Sequence, residues 1–359
     1  MKVKLEDVCE RGSSNLKQSD IIGLNGDYPI YGASGYIGNA DFYHQERPYV
    51  SVVKDGAGIG RTTFHPAKSS VIGTMQYLLP KDNVLPEYLC YVVKYMHLEK
   101  YFTGATIPHI YFRDYKNEQF NLDSLEKQAE IVDVLGKCER IIADREEELK
   151  KLDELIKARF VEMFGDPVSN SYGLPEATLP ELGEFARGVS KHRPRNDPKL
   201  LGGDYPLIQT GDVANAGLYI TSYSSTYSEL GLKQSKMWHK GTLCITIAAN
   251  IAKTAILEFD ACFPDSVVGF TANERTSNIF IHYWFSFFQA ILESQAPESA
   301  QKNINLKILS ELKVIVPEKE KQDEFVEFIK QVDKSKVEVQ KSLDETKLLF
   351  DSLMQEYFG

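Results

Sequence analysis

No apolar run in this 359-residue chain approaches the ~20 residues a membrane-spanning helix needs. The opening stretch, MKVKLEDVCERG, has no apolar core of the kind a secretion signal carries. Cysteine is sparse: Cys9, Cys90, Cys138, Cys244 and Cys262 are far apart, odd in number and in no CxxC pair. That excludes a disulfide framework and a thiolate zinc site, and predicts reduced thiols in a cytoplasmic protein. The seven histidines are scattered without an HxxxH, and no acidic cluster has two-metal spacing. There is no GxxxxGKS/T to cradle a nucleotide. No aromatic-ended Asn-Pro-Pro or Asp-Pro-Pro is present for amino methylation, and Pro264-Asp265-Ser266 lacks the acidic-x-Lys that would complete a nuclease centre. The glycines of DGAGIGR, 55–61, are wrongly spaced for a dinucleotide fingerprint and predict a tight turn between strands. The chain is expected to have no catalytic residue, no cofactor and no metal, and to act by binding and bridging.

A net charge of −10 speaks against a nucleic-acid partner until it is located along the chain. Residues 1–121 are net 0 and residues 168–315 net −1, whereas 122–167 carry −5 and 316–359 carry −4. The two acidic segments align without a gap at an offset of 194, Glu126–Gly165 on Glu320–Gly359, sharing Glu-Lys-Gln at the start and Phe-Gly at the end. Neither contains proline, and apolar residues step by four and three. In the first segment the seam is Ile131, Leu135, Cys138, Ile142, Leu149, Leu152, Ile156 and Met163; in the second it includes Phe325, Ile329, Leu343 and Phe350. A heptad seam of this length predicts a coiled coil. One such helix would be read as packing on its own domain; two in matching register point to mutual pairing. Asp123 and Glu126 have capping-box spacing, and Gly165 with Pro167 supplies the stop.

The repeat reaches upstream. Residues 104–112 fall on 298–306 at the same offset, and VSVVKDGAGIGR, 50–61, resembles TLCITIAANIAK, 242–253, at 192. Gly-Asp-Tyr-Pro occurs at 26–29 and again at 203–206, read as the same turn twice. The smaller offset there, 177, means that about 15 residues enter the second copy before residue 242. Short β-rich runs (RPYVSVV, MQYLLP, GTLCITIA, TAILEF) alternate with Gly and Pro, so the class is α+β. The aromatic stretches at 86–102 and 279–294 are expected to be core. The predicted division is domain 1 over 1–121, helix over 122–165, domain 2 over 166–315 and helix over 316–359.

Basic loops carry the remaining signal. ARGVSKHRPRND places Arg187, Lys191, His192, Arg193 and Arg195 together; Gln209, Thr210 and Asp212 follow the second Gly-Asp-Tyr-Pro; Lys233, Ser235 and Lys236 lie in the insert. The first copy offers Tyr31, Ser34, Tyr36, Lys54 and Arg61 in the corresponding region. Such loops suit phosphate and base-edge contacts. Lys191, Arg193 and Arg195 have no evident reason to fold inward and are assigned to phosphates; Gln209 is assigned to a base edge.

With these features the chain resembles the specificity (S) subunit of type I restriction-modification systems, over nearly its whole length. The resemblance rests on GDYPLIQTGDV, SELGLKQSKMWHKGTLCIT, SVVGF and ELKVIVPEKEKQDEFV, and on two large domains each followed by a similar long helix. It implies two target-recognition domains separated by two antiparallel coiled-coil helices in a pseudo-twofold repeat. It implies double-stranded DNA read as a bipartite target, two modification (adenine methyltransferase) subunits bound by the helices, and restriction (translocase/nuclease) subunits that join them. Two alternatives stay open: an assembly scaffold that binds protein or glycan, and the recognition part of a fused restriction-modification enzyme. A second helix complete to Gly359 weighs against the latter.

Overall fold

The computed structural model describes residues 1–103, 108–295 and 304–359. The proposed pairing of 104–112 with 298–306 lies largely outside them. The described chain forms two compact units, one of residues 1–147 with 339–359 and one of 148–338. Each contains part of both long helices, Leu125–Phe164 and Lys319–Phe358.

Both units build the same sheet. In the first, Cys9–Ser13, Met75–Pro80, Tyr49–Val53 and Thr62–His65 lie antiparallel in that order. In the second, Gly183–Arg187, Val267–Ala272, Leu243–Thr246 and Thr254–Leu257 repeat the order, and Tyr219–Ile220 from the inserted region adds a parallel edge strand. Every residue of Tyr49–Val53 and of Leu243–Thr246 is buried, as a strand covered on both faces must be. The following loops match in their hydrogen bonds. Val53 N–H donates to Arg61 O and Gly60 N–H to Val53 O; Thr246 N–H donates to Lys253 O and Ala252 N–H to Thr246 O, all at 2.9 Å. Gly60 has a left-handed φ of +81° and its counterpart Ala252 one of +57°, so the second copy holds at alanine a conformation that glycine adopts without strain. DGAGIGR is therefore the strand-to-strand turn its spacing predicts.

The repeated tetrapeptide is not the same turn twice: in the first copy Gly26 and Asp27 form a bend before a strand, and in the second all four residues are strand. Gly203–Pro206 lies inside the strand Leu201–Leu207, and Gly26-Asp27 leads straight into Tyr28–Gly32. Each strand starts the second sheet of its unit, pairing in parallel at corresponding points, Ile30 with Ser70 and Leu207 with Cys262. Backbone crowding explains the shared glycine: a Cβ at Gly26 would sit 2.0 Å from Ala40 O, and one at Gly203 2.6 Å from Tyr227 O.

Against each first sheet packs one apolar helix. Pro86–Tyr95 has Pro at its start and buries Tyr88 through Val93 without a break, a helix apolar all round and hence enclosed. In the second unit, Asn278–Gln295 buries Phe280, Ile281, Trp284 and Phe285 completely. These aromatic stretches are core, as expected, apart from Phe102 at the end of the first, which is exposed.

The long helices run antiparallel within each unit. In the first, Ile131 and Leu135 share a core with Phe350 and Met354, and Lys347 binds Glu146 at 2.8 Å. In the second, Ile156 and Phe160 share a core with Phe325 and Ile329, and Arg159 binds Glu324 at 2.9 Å. Cys138 and Leu343 are buried; Ile142, Leu149, Leu152 and Met163 are half-buried. The first helix ends where Gly165 turns left-handed at φ +76°. Its cap is not Asp123, whose carboxylate accepts from Tyr88 Oη (3.0 Å); Ser124 Oγ instead accepts the Lys127 N–H at 3.3 Å.

One joint is built twice. Gln128 and Gln322, the third residues of the two Glu-Lys-Gln starts, are fully buried. Gln128 Nε2 donates to Asp123 O and Asn83 O (2.9 and 3.1 Å), while its Oε1 accepts from Leu85 N–H (2.8 Å). Gln322 Nε2 donates to Pro317 O and Arg275 O (2.9 and 3.0 Å), and its Oε1 accepts from Thr276 Oγ1 (3.0 Å). Replacing Gln322 with Leu leaves the Pro317 carbonyl and the Thr276 hydroxyl buried without partners and the Arg275 carbonyl unpaired, so denaturant unfolding should show a loss of about 3 kcal/mol. A loss below 1 kcal/mol would mean that water repairs the joint.

His65, buried against Ser51 Oγ at 2.8 Å, is held by burial down to about 4. The folded state therefore favours the neutral ring. Stability is full above the ordinary pKa of about 6.5 and falls as pH drops toward 4, by about 3 kcal/mol from this residue. A His65→Gln variant should flatten that part of the pH profile of unfolding; an unchanged slope would show that His65 does not contribute to it.

Candidate nucleic-acid interface

In the second unit the loop 187–197 is built from its own backbone outward. Gln234 Oε1 accepts both the Lys191 and the His192 N–H, at 2.7 and 3.0 Å. Ser235 Oγ donates to Val189 O at 2.8 Å. The loop then closes on Asp197, whose carboxyl is held below the usual range by the Lys199 N–H and by His192 Nε2 at 3.1 Å.

Arg193 and Arg195 stay exposed, as expected, but are not free: both are tied to one carboxylate. Arg193 Nη1 donates to Ser190 O (2.6 Å) and His192 O (2.8 Å), and its Nη2 lies 3.4 Å from Asp265 Oδ2. Arg195 Nη2 binds Asp265 Oδ1. The physical reason is a carboxylate 70 residues further along the chain, which no local spacing announces. Lys191 and Lys233 remain exposed. Lys236 binds Glu184 at 2.9 Å and lies 3.7 Å over the Trp238 ring.

Arg195 and Asp265 stand in an open groove of about 490 Å³. Its polar wall also includes Arg187, Asn196, Gln209, Thr210 and Ser266, and Leu207, Tyr227 and Ile247 supply apolar lining. Four predicted residues thus meet there: Arg187, Arg195, Gln209 and Thr210. Asp212 serves the local backbone, accepting the Gln209 N–H (2.7 Å) and Ser224 Oγ (3.2 Å) at the start of the helix Thr210–Asn215. Gln209 Nε2 donates to Ser225 Oγ at 3.3 Å. Asn196, Asp265 and Ser266 were missed as wall residues. Asp265 was visible only as part of Pro-Asp-Ser, and its one usable signal was a negative charge with no local basic partner.

The first unit offers a hairpin tip. Tyr28–Gly32 pairs with Gly35–Ala40, Ser34 is exposed at the turn, and Tyr36 is 61% exposed. Arg61 Nη1 reaches Ala33 O at 2.8 Å, which brings Arg61, Ser34 and Tyr36 together. Tyr31 packs on His65 with ring centroids 4.4 Å apart, and burial raises its phenol. Lys54 is half-buried, 3.6 Å from Asp55, which is itself 2.7 Å from His109. At the 177 offset, Gly32, Ala33 and Ser34 correspond to Gln209, Thr210 and Gly211. Ser34 and the pair Gln209 and Thr210 therefore stand at equivalent strand ends, whereas Arg61, whose counterpart is Lys253, and Arg195 come from different parts of the frame. Among the described residues no group of His, Cys, Asp or Glu could hold a metal ion, and no helix is long and apolar enough to cross a membrane.

Comparison with known proteins agrees with this repeat. The S subunit of a type I restriction-modification system from M. genitalium is similar over 100% of this chain and 96% of its own, at 16% identity and a TM-score of 0.63. A chain from a type I R-M system, solved to describe complex assembly and conformational transition, covers 99% of this chain and 97% of its own, at 14% identity and a TM-score of 0.58. A Methanocaldococcus jannaschii protein, assigned by its name as the type I restriction enzyme MjaX specificity subunit, is 20% identical over 297 residues, which are 77% of this chain and 68% of that protein. The family model for the type I restriction modification DNA specificity domain matches residues 1–152 and again residues 176–346, once in each half, and the chain belongs to that family.

Proposed function

We propose that each unit reads one half of a bipartite double-stranded DNA target and that the long helices bridge two modification (adenine methyltransferase) subunits, which restriction (translocase/nuclease) subunits then join in the cytoplasm. The observation that carries this is the repeat itself. Two units of one plan carry polar side chains at the equivalent strand end, Ser34 in one and Gln209 and Thr210 in the other, and each sets an arginine from a different part of the frame beside it, Arg61 in one and Arg195 in the other. Different readers on one frame suit an asymmetric target.

The charge distribution supports the same division of labour. The near-neutral stretches carry the candidate DNA contacts, while the acidic ones form helices, where negative charge does not oppose DNA. Those helices also expose Leu125, Ile141 and Leu155 on the first, and Val337, Leu348 and Leu349 on the second. Apolar side chains beyond the buried seam suit a protein partner. Methyl transfer and cleavage belong to the partners on this reading, and the chain needs no cofactor of its own.

Exchanging residues 168–315 for the corresponding segment of a relative should change one half of the methylated motif and leave the other half intact, as read by methylome sequencing of a host that also expresses the modification subunit. A change in both halves would show that the units do not read independently. Lys191, exposed on its loop, is assigned to a phosphate. Lys191→Ala should weaken binding to cognate and random DNA alike and lower the slope of log affinity against log salt by about 0.9. An unchanged slope with altered sequence preference would reverse that assignment.

A further inference from the structure

The geometry points to Arg195 as a guanine reader, held in reading position by Asp265. This rests on the proposed reading of the second unit as a DNA-binding one and names a base for it. The two loop arginines share one carboxylate but are not equivalent. Arg193 spends Nη1 on two carbonyls of its own loop and turns Nη2 to Asp265 Oδ2. It is a brace. Arg195 is held through Nη2 alone, by Asp265 Oδ1, and it lines the groove. Its other guanidinium nitrogens have no hydrogen-bond partner among the described residues, and its side chain is 44% exposed.

An arginine anchored at one nitrogen keeps the rest of its planar fork in a fixed direction. A phosphate contact needs no such fixing, because any flexible cation meets a phosphate. A base edge does need it: the guanine O6 and N7 acceptors take two parallel N–H donors in one plane. The anchor also supplies selectivity. Asp265 holds a negative charge beside the fork and would repel a phosphate, whereas the electropositive amino group of the cytosine paired with that guanine is compatible with it. Asp265 itself is 35% exposed, ordered by two arginines, and has no other role in the core. Gln209 lines the same groove, so one wall carries donors suited to adjacent base pairs.

The test uses the full chain assembled with its modification subunit, and duplexes it selects from a random-sequence pool. Each guanine of the selected motif is replaced in turn by 7-deazaguanine, which lacks N7. One replacement should weaken wild-type binding about 10- to 100-fold and should weaken Arg195→Ala no further. Arg195→Lys preserves charge and removes the fork, so it should keep the salt slope yet lose preference at that same base pair. Asp265→Asn should relax the preference there as well. If every 7-deazaguanine duplex affected wild type and Arg195→Ala equally, or if Arg195→Ala lowered the salt slope by about one with the motif unchanged, Arg195 would be a phosphate contact and the inference would fall. Selection of no motif by the wild-type assembly would instead overturn the DNA-reading function on which it rests.

Discussion

A buried glutamine amide, made twice, is the constraint on which both units depend. Gln128 and Gln322 each lie at zero exposure and satisfy every polar group of the amide. Each ties the first turn of a long helix to the segment that enters the core helix of its unit. The geometry permits no substitute: two donors on one nitrogen and an acceptor on the neighbouring atom are what an amide offers and what a carboxylate or an amine does not. A buried network of this kind is worth having only when complete, because each unpaired member costs more than the bond returns. The identity of Glu-Lys-Gln in the two copies is thereby explained by its third residue.

From that joint the helices are free to diverge wherever packing tolerates it. Lys336 stands in the seam at the position that Ile142 takes in the first helix. It is half-buried and paired with Asp153, and Asp333 beside it is pushed up by burial and by Asp153, with Lys336 opposing. A charge has replaced an apolar knob without loss of pairing because a carboxylate of the partner helix reaches it. The heptad pattern is thus a statement about burial, and ion pairs satisfy it at some places.

Much of the frame was legible in the sequence. The 194 offset, the two long helices, the α+β class and the core status of the aromatic stretches all follow from periodicity and alignment, which report local geometry and burial. Three features were not. Gly-Asp-Tyr-Pro has turn composition yet lies in or beside a strand, because the glycine answers to a neighbouring backbone, Ala40 or Tyr227, that composition cannot show. Asp123 has cap spacing, but Tyr88 claims its carboxylate and Ser124 caps instead. The basic loop has the look of a free outward arm, but Asp265, 70 residues away, ties two of its exposed cations in place. All three failures have one origin: a long-range partner overrode a local preference.

That last case bears on how a binding groove can be charged and still specific. A flexible cation on a surface loop is attracted to any phosphate and pays side-chain entropy on contact. Two guanidinium groups on one carboxylate lose that freedom during folding. What the groove keeps is a net positive charge with a direction, and direction is what separates recognition of an edge from attraction to a polyanion. The exposed Lys191 on the same loop retains both its freedom and its full charge. The loop 187–197 therefore holds two kinds of cation, and the difference between them is made by the fold through Asp265, not by the residues' own chemistry.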